Sequence, residues 1–301
     1  MTDRVSGCRA CGAVLVLLAA AACRPASEPA ADDTAAREAA DTAATLHADD
    51  TGEPSAAAAI APERAVVAEK SLAYAEVGER LVHGHFVFPS DMVDPLPALI
   101  VIHEWWGLND GVRAMADRLA AEGYIVLAID LYGGRVAETP DAARKLMMEV
   151  LENPEAAEDN LRQAYRFVTE TAGAPSVASF GWCFGGTWAL NTALLFPKDL
   201  DAAVIYYGQV AADAEALRGL DLPILGHFGA DDRSIPLAKV EGFRQALEAA
   251  GVEHEIRVYP GVGHAFANPS GQSFDAQAAK EAWELSLAFL NRHLVPPGAR
   301  D

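Results

Sequence analysis

The chain has 301 residues, is 51% hydrophobic and carries a formal net charge of −20 at pH 7. That length and apolar content suffice for a sizeable core, in one large domain or two modest ones. The charge excludes nucleic acid as a partner, because a phosphate backbone demands a basic surface, and it excludes charge-driven adsorption to anionic lipid headgroups.

Taken from its start, the chain opens with a targeting signal. Residues 13–22 form an apolar run preceded by Arg4 and Arg9 and followed by Cys23. The run is too short to span a bilayer as a stable helix and reads as the core of a signal peptide over residues 1–23. Its end, from Leu18 to Cys23, resembles a bacterial lipobox, in which the cysteine becomes the lipidated first residue. Ala20 stands where leucine is usual, so cleavage without lipidation is the alternative. Cys8 and Cys11 form a C-x-x-C pair with no second pair and no histidine nearby, which does not make a metal site. Residues 24–64 shift to alanine, aspartate, glutamate, threonine and proline, too poor in apolar groups to fold alone, and are expected to form a disordered acidic tether. An exported protein anchored to a membrane through Cys23, facing the periplasm or exterior, is expected.

From residue 65 to 296 the pattern is that of a single folded domain, with 297–301 as a tail. Two runs, 65–74 and 80–87, predict an antiparallel start to a sheet. Apolar runs then alternate with helical periodicity: a strand at 98–103, a helix at 111–122, a strand at 124–129, a long helix at 154–171, and a strand ending at 177–180. Further strands are predicted at 201–207, 222–229 and 255–259, and a closing helix at 274–293 with Trp283, Leu287 and Leu290 on one face. Near-continuous Val, Ile, Leu and Ala in the strands predict an α/β fold, a mostly parallel sheet with helices on both faces. Residues 133–153 leave a strand through Gly133 and Gly134 and are the candidate mobile segment over a pocket.

The chemistry concentrates at three strand exits. Gly181-Trp182-Cys183-Phe184-Gly185-Gly186 joins a buried strand to a helix, with glycines two positions either side of a thiol. Those glycines permit a turn sharp enough to expose one side chain, the arrangement of a nucleophile elbow. A free cysteine, of pKa about 8.5, is only a few per cent thiolate at neutral pH, so acyl transfer needs a histidine beside it and an acid to orient that histidine. Asp231 and Asp232 follow one strand and His264 follows the next. The order nucleophile, acid, histidine is that of α/β-hydrolases. Among eight histidines, only His103 and His264 sit at strand exits, and His264 alone follows the acid; His227 lies inside a strand and reads as a satisfied core imidazole. Of the adjacent aspartates Asp232 is preferred, the other being free to cap a helix near Pro236 or to face water.

With these motifs the chain resembles the dienelactone hydrolase family, the cysteine-using branch of the α/β-hydrolases, over roughly residues 68–294. The resemblance rests on the elbow, on His103-Glu104-Trp105-Trp106-Gly107-Leu108-Asn109, on Asp130-Leu131-Tyr132-Gly133-Gly134, on Asp232-Arg233-Ser234-Ile235-Pro236 and on Gly263-His264-Ala265-Phe266. It implies an α/β-hydrolase fold and hydrolysis of small lactones or carboxylic esters through Cys183, His264 and Asp232, the aspartate matching the spacing of the family's acid motif. It further implies that Glu104 lies near the resting thiol and disfavours a second negative charge there until substrate binds. Backbone amides of Trp105 and Phe184 are the implied oxyanion hole, with Trp106, Tyr132 and Arg135 as pocket candidates. One position departs from the family: where dienelactone hydrolases carry a substrate-clamping arginine four residues after the histidine, this chain has Asn268.

No P-loop, dinucleotide glycine fingerprint or metal-spaced histidine pair is visible, so no cofactor or metal is implied. A small-molecule ester or lactone is the expected partner, and a monomer the expected state. Two rival readings use the same residues: a non-catalytic ligand-binding lipoprotein on this fold, and a thiol redox sensor working through Cys183, the latter lacking a resolving cysteine in the domain.

Overall fold

The computed structural model describes Asp41, Thr45 and residues 64–295. The signal segment with Cys23, most of the tether and the tail lie outside the described residues. Within the tether, Asp41 and Thr45 are helical, and Asp41 pairs with Arg144.

Eight strands form one sheet in the order β1-β2-β4-β3-β5-β6-β7-β8. β1 (Val66–Val77) and β2 (Arg80–Pro89) form the antiparallel entry, and β2 is also antiparallel to β4 (Ile125–Ile129). From there every pairing is parallel, through β3 (Ala98–Ile102), β5 (Val177–Trp182), β6 (Ala202–Tyr206), β7 (Ile224–Gly229) and β8 (His254–Tyr259). All residues of β3 to β7 are buried, which is why they read as unbroken apolar runs. Alternate side chains feed two cores. Ile100, Ile102 and Leu127 enter one face, and Leu99, Val101 and Val126 the other.

The first face is covered by α2 (Pro140–Leu151), α3 (Pro154–Arg166), α4 (Phe184–Leu195), α5 (Ala214–Leu217) and α6 (Leu237–Ala250). The second is covered by α1 (Asp110–Ala121) and α7 (Ala276–Leu294), through Val112, Ala116, Leu119, Phe289 and Leu290. Side-chain caps start the helices where the sequence supplies them: Asn109 accepts from the Val112 N–H, Thr139 from Ala142, and Asp275 from Ala278. This is the predicted α/β-hydrolase fold, with helices on both faces.

Two expectations need correction. The helix at 154–171 is α-helical only to Arg166, and Phe167–Thr171 form a π-helical turn in which the Ala172 N–H donates to Phe167 O. There Thr169 Oγ1 donates to the Tyr165 carbonyl at 2.8 Å, competing with the backbone ladder. Residues 133–153 do not cover the pocket described below. Most of that stretch is α2, which buries Ala143, Leu146, Met147 and Val150 against α3 and the sheet.

Candidate active site

β5 delivers Cys183 to the carboxyl edge of the sheet. Its backbone sits at φ 55°, ψ −119°, a conformation that L-residues rarely adopt and that turns the strand directly into α4. Only glycine fits around that turn: a Cβ on Gly181 would stand 2.1 Å from Gly185 O, and one on Gly185 would stand 2.1 Å from Ile102 O. The thiol is half-buried and α4 begins at the next residue. The Phe184 amide is therefore in the first turn of a helix, where N–H groups have no intrahelical acceptor.

β7 and β8 deliver the other two groups. Asp232 is buried just past β7, where its Oδ1 accepts the Ser234 and Ile235 N–H groups at 2.7 and 2.9 Å. Those bonds aim Oδ2 at His264, whose Nδ1–H donates to it at 2.8 Å. Cys183 is near enough to His264 for its charge to act on the ring. Burial disfavours the imidazolium, but negative charge at Cys183 and Asp232 outweighs it and holds His264 well above the usual histidine range. Burial likewise acts against the Asp232 carboxylate, and the His264 charge with three hydrogen bonds reverses that and holds its pKa below the usual range. Asp231 is exposed, its N–H donating to Val262 O, and takes no part in this chain of contacts.

A narrow pocket of about 40 Å³ adjoins these groups. Trp106, Met115, Trp182 and Tyr207 wall it, and Glu104 and Asn268 close one end, with Asn268 Nδ2–H donating to Glu104 Oε2 at 2.5 Å. Glu104 is its one charged side chain among the described residues. The pocket meets the three catalytic candidates through Trp182, the neighbour of Cys183, and through Tyr207, whose ring lies 5.1 Å from that of His264. Trp105 is not in its lining; it is buried against Trp106, ring centroids 4.9 Å apart.

Two phenols flank the thiol. Tyr132 and Tyr207 are fully buried, and their hydroxyls have no hydrogen-bond partner among the described residues. Burial foremost, then charge at Cys183 for Tyr132 and at Glu104 and Cys183 for Tyr207, pushes both far above the ordinary tyrosine pKa. Tyr132 was expected to line the pocket and is not in its lining; Tyr207 lines it and was not expected, its one sequence signal being its place directly after β6. Arg135 is not in the pocket. Its guanidinium pairs with Glu149 and donates to Tyr132 O, and it lines a separate cleft beside β2 and α3, because the chain has turned outward at Gly133 and Gly134.

The profile described as "Dienelactone hydrolase family" matches residues 82–294. The chain belongs to that family. A protein of Aquifex aeolicus (strain VF5), provisionally named a carboxymethylenebutenolidase, is 34% identical over 205 residues, covering 66% of this chain and 89% of that one. One of Escherichia coli (strain K12), named in the same provisional way, is 32% identical over 220 residues, covering 68% and 80%. A crystal structure provisionally described as a dienelactone hydrolase, from Klebsiella pneumoniae subsp. pneumoniae MGH 78578, superposes with a TM-score of 0.68 at 28% identity, covering 76% of this chain and all of that one. This member of the dienelactone hydrolase family is a hydrolase.

Proposed function

We propose that the protein hydrolyses small lactones or carboxylic esters through Cys183, His264 and Asp232. The observation that carries this reading is the Asp232–His264 hydrogen bond with Cys183 beside that imidazole and held in the elbow conformation. With the thiol proton held on His264, Cys183 Sγ attacks the carbonyl carbon as thiolate, and the amides of Trp105 and Phe184 receive the developing oxyanion. The imidazolium then protonates the departing alkoxide. Water attacks the acyl-thioester, its proton passing to His264, and the thiolate released beside that imidazolium restores the starting pair. The unpaired hydroxyls of Tyr132 and Tyr207 are further donors for the bound ester.

The pocket supports uncharged substrates. A substrate carboxylate placed between Trp106 and Asn268 would face Glu104 and meet no cation. A volume near 40 Å³ favours a short substituent. The N-terminal segment supports export and anchoring through Cys23, with the acidic tract holding the domain off the membrane.

The test is hydrolysis of a panel of aryl esters and lactones by the purified chain. Turnover by the wild type, lost in Cys183→Ala and in His264→Ala, is expected. A folded wild type that turns over no member would sink this reading in favour of the ligand-binding one.

A further inference from the structure

His103 ends β3 and is not one of the three groups assigned to the reaction, yet it is fully buried with both ring nitrogens engaged. The Leu131 N–H donates to its Nε2 at 3.1 Å. A backbone N–H can only donate, so Nε2 is unprotonated and the ring proton resides on Nδ1. That Nδ1–H donates to Glu104 O at 2.6 Å. Burial, only partly opposed by Asp130, holds the ring neutral by lowering its pKa.

The acceptor belongs to the peptide whose nitrogen is that of Trp105. No cis peptide occurs among the described residues, so this peptide's N–H points opposite its C=O and hence away from His103. If the peptide flipped, an N–H would face the Nδ1–H, two donors with no acceptor between them. The same imidazole stacks on Phe184 at 5.9 Å and packs edge-on to Tyr132 at 4.6 Å. The backbone at this exit also touches the elbow, since a Cβ on Gly185 would lie 2.6 Å from His103 O.

We infer that His103 is a positioning residue for the oxyanion hole, locking the Glu104–Trp105 peptide in the orientation that presents the Trp105 N–H to substrate while bracing Phe184. The inference rests on the hydrolase reading above, in which that amide receives the oxyanion. A donor fixed in advance needs no reorientation at the moment charge develops, which is where such amides lower the barrier.

Kinetics of His103→Leu and His103→Gln in the full chain, with thermal unfolding of each, test it. Leucine keeps volume but removes the donor, and kcat should fall about 10²-fold with KM changed less than about threefold. Glutamine, which can both donate and accept, should recover most of that loss. Nitrogen-15 NMR of the wild-type imidazole should show Nδ1 protonated and Nε2 bare across neutral pH, an observation that does not depend on any variant folding. Wild-type kcat in the leucine variant overturns the inference, as does a proton on Nε2 or a loss in KM alone. Absence of turnover by the wild type would instead strike the hydrolase reading, and the tautomer would still be read.

Discussion

Two buried histidines at neighbouring strands have opposite electrostatic fates. His264 meets Asp232 and Cys183 at the sheet's carboxyl edge; His227 lies within β7, its Nδ1 bonded to Tyr259 Oη at 2.9 Å and its Nε2 to Ser286 Oγ at 3.0 Å. Ser286 Oγ also bonds to Tyr206 Oη at 2.8 Å. Burial disfavours the cation in both. Hydroxyl partners satisfy a neutral ring without offset charge, so His227 falls to about 3, with Arg257 adding to the shift. At His264 the negative charge of Cys183 and Asp232 prevails and the pKa rises. Partner chemistry, not depth, separates a structural histidine from a reactive one. Consecutive tyrosines mark the border: the Tyr206 ring packs 4.4 Å from His227, and the Tyr207 ring 5.1 Å from His264.

The largest way to break this contrast is at the proposed nucleophile. Cys183→Ala should lower kcat/KM about 10⁴-fold or more while leaving the unfolding temperature near wild type, whereas His227→Gln should leave kcat/KM within about twofold. Next is the carboxylate itself. Asp232→Asn removes the charge that raises His264 and should cost about 10³-fold in kcat. It should also move the alkaline limb of the pH–rate profile downward, because the imidazolium needed to protonate the leaving group is then lost at lower pH. A profile with an unmoved limb would detach His264 from that limb.

A smaller effect concerns the end of the pocket. Asn268 ties down Glu104, and a guanidinium in its place would supply the cation that the lining lacks. Asn268→Arg should raise kcat/KM for a carboxylate-bearing ester about tenfold relative to its neutral analogue. An unchanged ratio across a matched substrate pair would show that Glu104 and Asn268 do not govern charge selection.

Much of this was legible in the residues. Unbroken apolar runs placed β3 to β7, glycines around Cys183 marked the turn, and the order of aspartate and histidine anticipated their contact at the sheet edge. His227 as a satisfied core imidazole also followed from its place inside a strand. What escaped depends on direction. Nothing in Gly133-Gly134-Arg135 says that the guanidinium turns outward to Glu149, and nothing around Thr169 says that its hydroxyl bonds to Tyr165 O where the helix widens. Tyr207 escaped because a tyrosine after a strand has no spacing partner; only its position across from His264 makes it part of the site.

The smallest expected effect, on stability against acid, sharpens the comparison most. His227 in the folded chain has a pKa of about 3, against 6.5 when exposed by unfolding. Between those values the unfolded state binds a proton that the folded state refuses, so this group's contribution is fully present above about 6.5 and is lost as pH falls toward 3. His264 runs the other way: its raised pKa contributes stability that is complete below 6.5 and lost as pH rises through the folded value. Urea unfolding of the wild type and of His227→Gln at several pH values between 4 and 6 should therefore differ in slope. Removal of His227 should flatten the pH dependence by up to about 1.4 kcal/mol per pH unit, one proton's worth. Parallel slopes would mean that His227 is protonated in the fold, and that the hydroxyls of Ser286 and Tyr259 tolerate a charge which, by the contrast with Asp232, they should not.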